Sequence, residues 1–300
     1  MYKIKKWLNR SFDLLAYVCA GGLLLAALWI IGQVFFFASF SIPTDSMVPT
    51  LRPGDYVLVN KLLKGPRLFS LNDAIDHKPL EIRRLKGMGE FRRNEVLVFN
   101  FPYPERWDSI GFHVMLYYVK RCIGVPGDTV EIRDAYYRVN GHDGETGHAE
   151  SQRELSRYLK SKYNVEQMER NGCYRAYPFD SIVGWNIQEF GPLYVPSQGD
   201  TVKMNHLHFV LYRRLIEWEQ RKKLTEQEDG IYLDGRRIGE YVFTKNYYFM
   251  GGDNCFNSQD SRYWGLLPEE YIVGKAVRIW KAKDRHTEDI HWERVMKKIE

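Results

Sequence analysis

Residues 117–128 read YYVKRCIGVPGD, an apolar run that contains one lysine and ends in a Pro-Gly-Asp turn. The aromatic and β-branched residues favour a strand, and the turn residues favour its end at residue 126. Lys120 is unusual in such a run because a lysine side chain normally stays in water. If burial desolvates its ammonium, the pKa of Lys120 falls from ~10.4 and the neutral amine becomes a usable base. A plainer interpretation is an edge-strand lysine that discourages aggregation.

Similar turn sequences recur after residue 50, with short β-prone runs between them. The turns lie at residues 53–55, 140–141, 198–200 and 234–235, and the runs at 56–60, 95–101, 129–132 and 247–250. This spacing is typical of an all-β domain of hairpins and small barrels. Residues 150–170 and 206–228 differ, because apolar residues at helical spacing among many charged ones predict helices there. We therefore expect a mainly β fold with an inserted α/β segment.

Residues 14–38 form an almost uninterrupted apolar segment, broken only by Gln33 and by glycines. As a helix it would be roughly 37 Å long, enough to cross ~30 Å of hydrocarbon. The apolar region of a cleaved signal peptide is shorter, about 7–15 residues, and a buried core helix has no need of this length. We predict one permanent transmembrane helix. The basic residues precede it, so residues 1–13 are expected in the cytoplasm and the remainder on the extracytoplasmic side of the inner membrane.

The composition argues against several other classes of protein. The net charge is +5, but residues 1–13 carry +3 of it, so no basic patch for phosphates remains and nucleic acid is not an expected partner. The four cysteines show neither a CxxC pair nor zinc spacing, so we expect no disulfide framework, although a Cys122–Cys255 bridge stays open. The sequence has no His-Glu-x-x-His, and His206 and His208 lack a third ligand at a suitable spacing. We expect no metal and no other cofactor.

Residues 41–51, directly beyond the apolar segment, read SIPTDSMVPTL. Pro43 and Pro49 keep this segment extended and exclude a helix through Ser46. A serine presented in this way could be a nucleophile close to the membrane surface. Serine, threonine and proline are also common in linkers, so this motif alone does not identify an active site.

Residues 251–265 read GGDNCFNSQDSRYWG. This composition predicts a loop held by hydrogen bonds from side chains to the backbone. Asp260 and Arg262 could lock the loop with a charge-assisted pair. A calcium loop is an alternative, but the spacing of the acidic residues does not fit an EF-hand.

Together and in this order, the three motifs resemble those of bacterial type I signal peptidases. Residues 93–99, RNEVLVF, resemble a fourth strand motif of that family. The resemblance covers most of residues 1–130 and 230–280, and it is weak over 133–230. It implies a signal-peptidase-like β domain and a membrane-bound endopeptidase that removes signal peptides from exported preproteins.

The resemblance also assigns roles to individual residues. Ser46 matches the family's nucleophile and Lys120 its general base, which form a dyad that acts through an acyl-enzyme. Support for the oxyanion hole and for the dyad is implied at Thr44, Ser258, Asp260 and Arg262. Substrate contacts around small S1 and S3 pockets are implied at Ile42, Pro43, Met47, Leu51, Tyr118 and Val119. The expected partners are the lipid bilayer and secretory preproteins whose signal peptides have small residues at −1 and −3.

Three residues depart from the family pattern. Cys255 and Phe256 stand where many members have arginine and an acidic residue, and Asp45 replaces a commonly small residue beside the nucleophile. None of these changes removes a catalytic atom. They do predict a different arrangement of charge around the loop at 251–265.

These observations predict five parts of the chain. They are a cytoplasmic tail (1–13), the transmembrane helix (14–38), a catalytic β domain (39–132 and 231–285), an inserted second domain with helical segments (133–230) and a C-terminal helix or tail (286–300).

Two other functions fit parts of the pattern. A self-cleaving Ser/Lys protease of the SOS-repressor type has a similar dyad, but the membrane segment and the lack of a helix-turn-helix argue against it. A pseudoenzyme or membrane-anchored assembly factor would be expected to lose Ser46 or Lys120, and both are present. A serine–histidine mechanism lacks the Gly-x-Ser-x-Gly sequence of a nucleophile elbow.

Overall fold

The structure is a computed structural model, and it describes residues 2–76, 80–143, 146–285 and 287–300, without the side chains of residues 2–12. Its helices are α1 (Tyr2–Ile31), α2 (Leu71–Ile75), α3 (Ala149–Leu159), α4 (Lys162–Arg170), α5 (His206–Gln220) and α6 (Ser261–Trp264). Its strands are β1 (Phe37–Ser41), β2 (Asp55–Asn60), β3 (Arg67–Leu68), β4 (Arg83–Arg84), β5 (Val96–Asn100), β6 (Tyr117–Gly124), β7 (Thr129–Arg133), β8 (Tyr136–Val139), β9 (His142–Asp143), β10 (Phe190–Tyr194), β11 (Thr201–Lys203), β12 (Leu224–Gln227), β13 (Gly230–Leu233), β14 (Arg236–Ile238), β15 (Glu240–Val242), β16 (Tyr247–Gly251), β17 (Leu267–Pro268) and β18 (Ile272–Ala282).

The apolar helix ends earlier than the sequence predicts. Helix α1 continues through a π-helical turn, Gly32–Phe36, and Asp13–Phe36 is long and apolar enough to cross a membrane. Residues 37 and 38, which the sequence placed in the helix, instead open β1 and pair with Asn60 and Val59. Ala38 is buried by this pairing. The composition of an apolar run does not show which of its residues face lipid and which face the protein core.

The central element is a seven-stranded antiparallel sheet in the order β1-β2-β18-β5-β6-β16-β17. Strand β18 pairs with β2 on one side and β5 on the other, and both pairings contain register shifts. Such irregularities bend a sheet. The curled sheet brings β1 back towards the start of β6, where the rings of Phe40 and Tyr117 lie 4.8 Å apart. The predicted mainly β class is confirmed.

Residues 133–230 share their core with this sheet. A second, four-stranded sheet has the order β10-β7-β8-β9. Phe190, Tyr212 and Leu215 pack in one apolar cluster with Phe99 and Phe249 of the central sheet. Residues 133–230 are therefore packed onto the central sheet through a continuous core.

The second predicted helical segment is shorter than the sequence indicated. Helix α5 ends at Gln220, followed by Arg221 with a left-handed φ of 54°, a common way to terminate a helix. Residues 224–227 then form β12, which pairs with β13. Glutamate, glutamine and threonine suit an exposed hairpin as well as a helix surface, so the predicted helix at 221–228 was wrong.

Residues 287–300 lie along β18. The sequence predicted a helix or a tail here, and the described residues contain one 3-10 turn, Trp292–Arg294. Backbone bridges join Lys298 to Arg278 and Ile290 to Lys283. Ile299 is buried in a second apolar cluster, which also contains Met47 and Leu51. This segment therefore packs beneath the residues that follow Ser46.

Candidate active site

Ser46 and Lys120 lie in hydrogen-bond contact. Ser46 stands in a turn after β1, where the Val48 N–H donates to the Asp45 carbonyl at 2.9 Å. Lys120 occupies the middle of β6, and its Nζ donates to Ser46 Oγ at 2.7 Å and to the Val119 carbonyl at 3.0 Å. Both residues are buried, Ser46 being 9% and Lys120 4% exposed. If the amine is neutral, the same separation allows the Ser46 hydroxyl to donate to Lys120 instead.

The surroundings of Lys120 favour its neutral form. Burial lowers the pKa of Lys120 to about 8, because a desolvated ammonium is less stable than one in water. The carboxylates of Asp260 and Asp253 oppose this effect, and the Arg262 guanidinium adds to it. A base with a pKa near 8 is well suited to accept a proton close to neutral pH.

A cleft of about 480 Å³ opens at the dyad. Residues 40–47 form one wall, residues 116–120 the other, and Asn257 and Gln259 also line it. Four antiparallel pairings separate β1 from β6 in the sheet, so both walls run in the same direction and end at the dyad. β1 is the terminal strand of the sheet and has one paired edge.

Five of the six predicted substrate contacts line this cleft. They are Ile42, Pro43, Met47, Tyr118 and Val119. Leu51, the sixth, is fully buried and packs behind the cleft with Met47. Sequence reasoning missed other lining residues, which are Phe40, Ser41, Asp45, Leu116, Tyr117, Asn257 and Gln259. Most of these residues are neighbours in sequence of residues that the motifs identified, and that proximity could have predicted them.

The loop at 251–265 is organised around a buried ion pair, as its composition predicted. Arg262 Nε and Nη2 donate to the two carboxylate oxygens of Asp260, each at 2.8 Å, and both side chains are almost completely buried. The Gly252 N–H donates to the same carboxylate at 2.9 Å. Burial alone would raise the pKa of Asp260, but the Arg262 charge and these hydrogen bonds hold it below its usual value.

A second buried ion pair was not predicted. Arg121, the neighbour of Lys120, donates from Nε and Nη2 to both carboxylate oxygens of Asp253, each at 2.7 Å. Its Nη2 also donates to Thr50 Oγ1 at 3.2 Å, and its Nη1 donates to the Glu300 carbonyl at 2.8 Å. Arg121 thus joins the strand of Lys120 to the loop at 251–265, to the segment that follows Ser46 and to Glu300. The position of Arg121 beside Lys120 in the motif could have indicated that it also belongs to the site.

The two hydroxyl residues assigned to supporting roles lie close to Ser46. Thr44 Oγ1 is 3.5 Å from Ser46 Oγ. Ser258 is 8% exposed and lies beside the Asp260 carboxylate, whose pKa it helps to lower. A Cβ placed on Gly252 would lie 2.0 Å from Ser258 Oγ and 2.7 Å from the Ser46 carbonyl, so glycine is required for this close packing. The structure therefore places Ser258 beside the dyad without a hydrogen bond to Lys120.

Cys255, which departs from the family pattern, lies against the helices α3 and α4. Cys255 is 3% exposed and packs in a cluster with Leu155, Leu159 and Met168 of helices α3 and α4. Its carbonyl accepts a hydrogen bond from Arg262 Nη1 at 3.1 Å. The backbone at residue 255 thus binds Arg262, while its side chain joins the loop to the inserted helices.

All four cysteines are free in the structure, so Cys122 and Cys255 do not form a bridge there. Burial raises the pKa of the Cys255 thiol to about 11, and the pKa of Cys122 is raised as well. Both are therefore poorly reactive thiols near neutral pH. Within the described ranges, no group of three or more His, Cys, Asp or Glu side chains is arranged to hold a metal ion.

Comparison with known proteins gives consistent similarities. Residues 14–281 match the family model described as "Signal peptidase, peptidase S26". The signal peptidase I of Buchnera aphidicola subsp. Acyrthosiphon pisum (strain APS) is 29% identical over 292 residues, which are 95% of this chain and 80% of that protein. The signal peptidase I of Aquifex aeolicus (strain VF5) is 27% identical over 263 residues, 86% of this chain and 80% of that protein. The crystal structure of a signal peptidase I from Enterococcus faecalis V583 is 19% identical, covers 63% of this chain and 98% of its own, and has a TM-score of 0.27.

Proposed function

The chain belongs to the signal peptidase family, peptidase S26, and on this premise we propose that it cuts signal peptides from exported preproteins with a Ser46/Lys120 dyad. The observation that carries the proposal is the 2.7 Å separation between Lys120 Nζ and Ser46 Oγ in a buried site. The lowered pKa of Lys120 supports it, because a general base must be available in its neutral form. The cleft that ends at these two atoms provides the space for an extended peptide.

The proposed reaction follows from this geometry. Neutral Lys120 accepts the proton of the Ser46 hydroxyl while Oγ attacks the carbonyl carbon of the scissile peptide bond. The Lys120 ammonium then donates that proton to the leaving amine, and the C–N bond breaks to leave an ester on Ser46. Lys120 next accepts a proton from a water molecule that attacks this ester. When the signal peptide leaves, the proton returns to Ser46 Oγ.

The negative charge that develops on the carbonyl oxygen needs hydrogen-bond donors. We assign this role to the Ser46 backbone N–H and the Thr44 hydroxyl, and the position of Thr44 Oγ1 3.5 Å from Ser46 Oγ supports the second assignment. The Asp260–Arg262 pair keeps the neighbouring loop in place, and Ser258 is proposed to orient the lysine amine. Its side chain lies beside the Asp260 carboxylate and close to Ser46, so a small rotation would bring its hydroxyl to Lys120.

The cleft also supports a substrate class. An extended peptide can add to the free edge at residues 40–44 by backbone hydrogen bonds. Ile42, Met47 and Val119 line the cleft with apolar side chains, so the side chains at −1 and −3 would enter pockets of limited size. Small residues at these positions are typical of secretory signal peptides. The substrates are therefore proposed to be secretory preproteins with small residues at −1 and −3.

The same arrangement supports a location. Asp13–Phe36 can cross a bilayer, and the basic residues before it favour a cytoplasmic N-terminus. The catalytic β domain, residues 39–132 and 231–285, would then face the extracytoplasmic side of the inner membrane, and β1 begins directly after the anchor. The inserted residues 133–230 lie behind the catalytic loop.

The experiment that tests this proposal is preprotein cleavage by the full chain in detergent. Wild type is compared with Ser46→Ala and Lys120→Met, and with Ser109→Ala and Lys203→Met, which remove the same groups from exposed positions. Wild type and both control variants are expected to cut after a small-x-small site, and the dyad variants to lose roughly 1,000-fold or more of kcat. Thermal melts show whether each variant is folded. An inert wild type, or a folded Lys120→Met that still cuts, rules out the dyad mechanism.

A further inference from the structure

A second hollow, of about 320 Å³, adjoins the catalytic cleft. Asn257 and Gln259 line both, so one loop borders the two. We name the second hollow the aromatic groove and define it by its four rings, which belong to Trp107, Phe179, Phe256 and Tyr263. We infer that the aromatic groove binds the first residues of the mature protein, beyond the cut, and prefers a large apolar side chain there. This inference rests on the function proposed above.

Three of the rings are fixed by the protein and yet remain exposed. Trp107 is 41%, Phe179 45% and Phe256 40% exposed. The ring of Trp107 lies 6.2 Å from that of Phe101, and the ring of Phe256 lies 5.4 Å from that of Tyr158. Scattered apolar residues on a surface are ordinary, but aromatic rings that meet around a groove provide a large apolar contact area. The groove therefore has the properties of a binding surface.

Phe179 is held by its backbone. Its φ is 63°, a region that few bulky residues adopt, and its N–H donates to the Ala176 carbonyl at 2.9 Å. Gly172 and Cys173 line the same groove. This side of the groove is thus supplied by residues 133–230, while Phe256 and Tyr263 come from the loop at 251–265.

The direction of the catalytic cleft shows which part of a substrate would reach the groove. Both walls of the cleft run towards the dyad, from Phe40 to Ser46 and from Leu116 to Lys120. The end at Phe40 follows the apolar helix, so a signal peptide that is still in the bilayer enters there. A chain whose scissile bond lies at Ser46 then continues past residues 257–259. An extended chain advances ~3.3 Å per residue, so ~6 residues cover about 20 Å beyond the cut.

The lining also limits the chemistry of the occupant. Among the described residues that line the groove, none is Lys, Arg, Asp, Glu or His. The polar groups that it offers include the side-chain amides of Asn257 and Gln259, which can bind a peptide backbone. An extended peptide with a large uncharged side chain fits this surface, whereas a charged ligand would find no counterion.

The test uses the full chain in detergent and one preprotein with a fixed signal peptide. Phenylalanine is placed at each of the first ~6 mature positions in turn, about 20 Å of extended chain, in a background of serine. Each substrate competes with its all-serine parent in one reaction, which yields the ratio of the two kcat/KM values. We expect one position to raise the ratio about tenfold, the scale for one partly buried aromatic side chain.

Groove variants then identify the site. Trp107→Ala, Phe256→Ala and Phe179→Asn, where asparagine tolerates the positive φ, are expected to bring the ratio close to one. Ile182→Ala is the matched control, since Ile182 is 78% exposed, stands near Phe179 in sequence and does not line the groove. Its ratio should equal that of wild type. Melting temperatures show that each variant is folded.

Three results would overturn the inference while leaving the proposed function intact. Wild type that cuts the parent but shows a ratio near one at every position has no such subsite, although its signal peptidase activity stands. Groove variants that slow both substrates equally would show that these side chains stabilise the loop at 251–265 and do not bind the mature part of the substrate. Groove variants that keep the wild-type ratio but lose binding to anionic phospholipid vesicles indicate a lipid contact. If wild type cuts no preprotein at all, the proposed function fails and this inference fails with it.

Discussion

Asn257 Nδ2 donates to both carboxylate oxygens of Asp45, at 3.1 and 3.2 Å. Asn254 adds its own contacts, because its backbone N–H donates to the Ser46 carbonyl at 3.1 Å and its Nδ2 to the Asp45 carbonyl at 3.3 Å. Asp45, the neighbour of Ser46, is thus bound to the loop that borders both hollows. Asp45, which departs from the family pattern, has a local partner for its charge.

The Asp45–Asn257 contact predicts a modest and shared effect on catalysis. Both residues are exposed, so each of Asp45→Ala and Asn257→Ala should lower kcat/KM only about threefold, as expected for a contact that water competes for. The double variant should be no slower than Asn257→Ala alone, because Asp45→Ala acts through the contact with Asn257 that this substitution already removes. Preprotein cleavage by all four proteins completes the cycle. Effects that multiply in the double variant would show that the two side chains act independently.

The lowered pKa of Lys120 predicts how activity depends on pH. The base acts when it is neutral, and with a pKa of about 8 it is mostly protonated below that pH and neutral above it. We expect kcat/KM to rise about tenfold per pH unit below pH 8 and to level off above it. Cleavage of one preprotein across pH 6 to 10 measures this, with the melting temperature followed at each pH. A rate that levels off only near pH 10.5 would contradict a desolvated lysine.

The buried pair Asp260–Arg262 predicts a large loss of stability. Asp260→Asn leaves the Arg262 guanidinium without its counter-charge in a site closed to water, which should lower the free energy of unfolding by about 3–5 kcal/mol. Denaturation in urea measures this change. Asp108→Asn is a matched control, because Asp108 and Arg106 form a pair with the same spacing on the surface. This second substitution should leave stability unchanged, and equal effects of the two would contradict the role of burial.

The packing of residues 255 and 256 predicts different tolerance to substitution. Cys255→Arg introduces a charge into the cluster with Leu155 and Met168, and it should lower the free energy of unfolding by more than about 2 kcal/mol. Phe256→Glu changes a side chain that is 40% exposed, so its effect on stability should be small. Urea denaturation of both variants tests this. A stable Cys255→Arg protein would mean that the loop can turn this side chain out to solvent.

Much of the site could be predicted because its chemistry is local in sequence. The prolines around Ser46 and the lysine in a β-prone run made both residues candidates, the family resemblance paired them, and the structure brings their side chains into contact. The Asp260–Arg262 pair followed from two neighbouring residues. Leu51 was expected among the substrate contacts because it matches a family position around the small pockets. The turn after Ser46 directs it into the core instead.

The features that the sequence did not predict depend on contacts between distant segments of the chain. The register of β1 on β2 ends the apolar helix at Phe36, and composition does not contain that register. The pairing of β12 with β13 decides that residues 224–227 form a strand. The bond from Arg121 to Asp253 joins residues far apart in the chain, and nothing in either motif specified the partner.

The packing of Cys255 against helices α3 and α4 couples the evolution of these two parts of the chain. The loop at 251–265 and helices α3 and α4 are joined by apolar side chains that must match in volume. A loop taken from another protein would leave a cavity or a clash here unless the facing residues of α3 and α4 were changed with it. The two segments must be inherited, exchanged or redesigned as a pair.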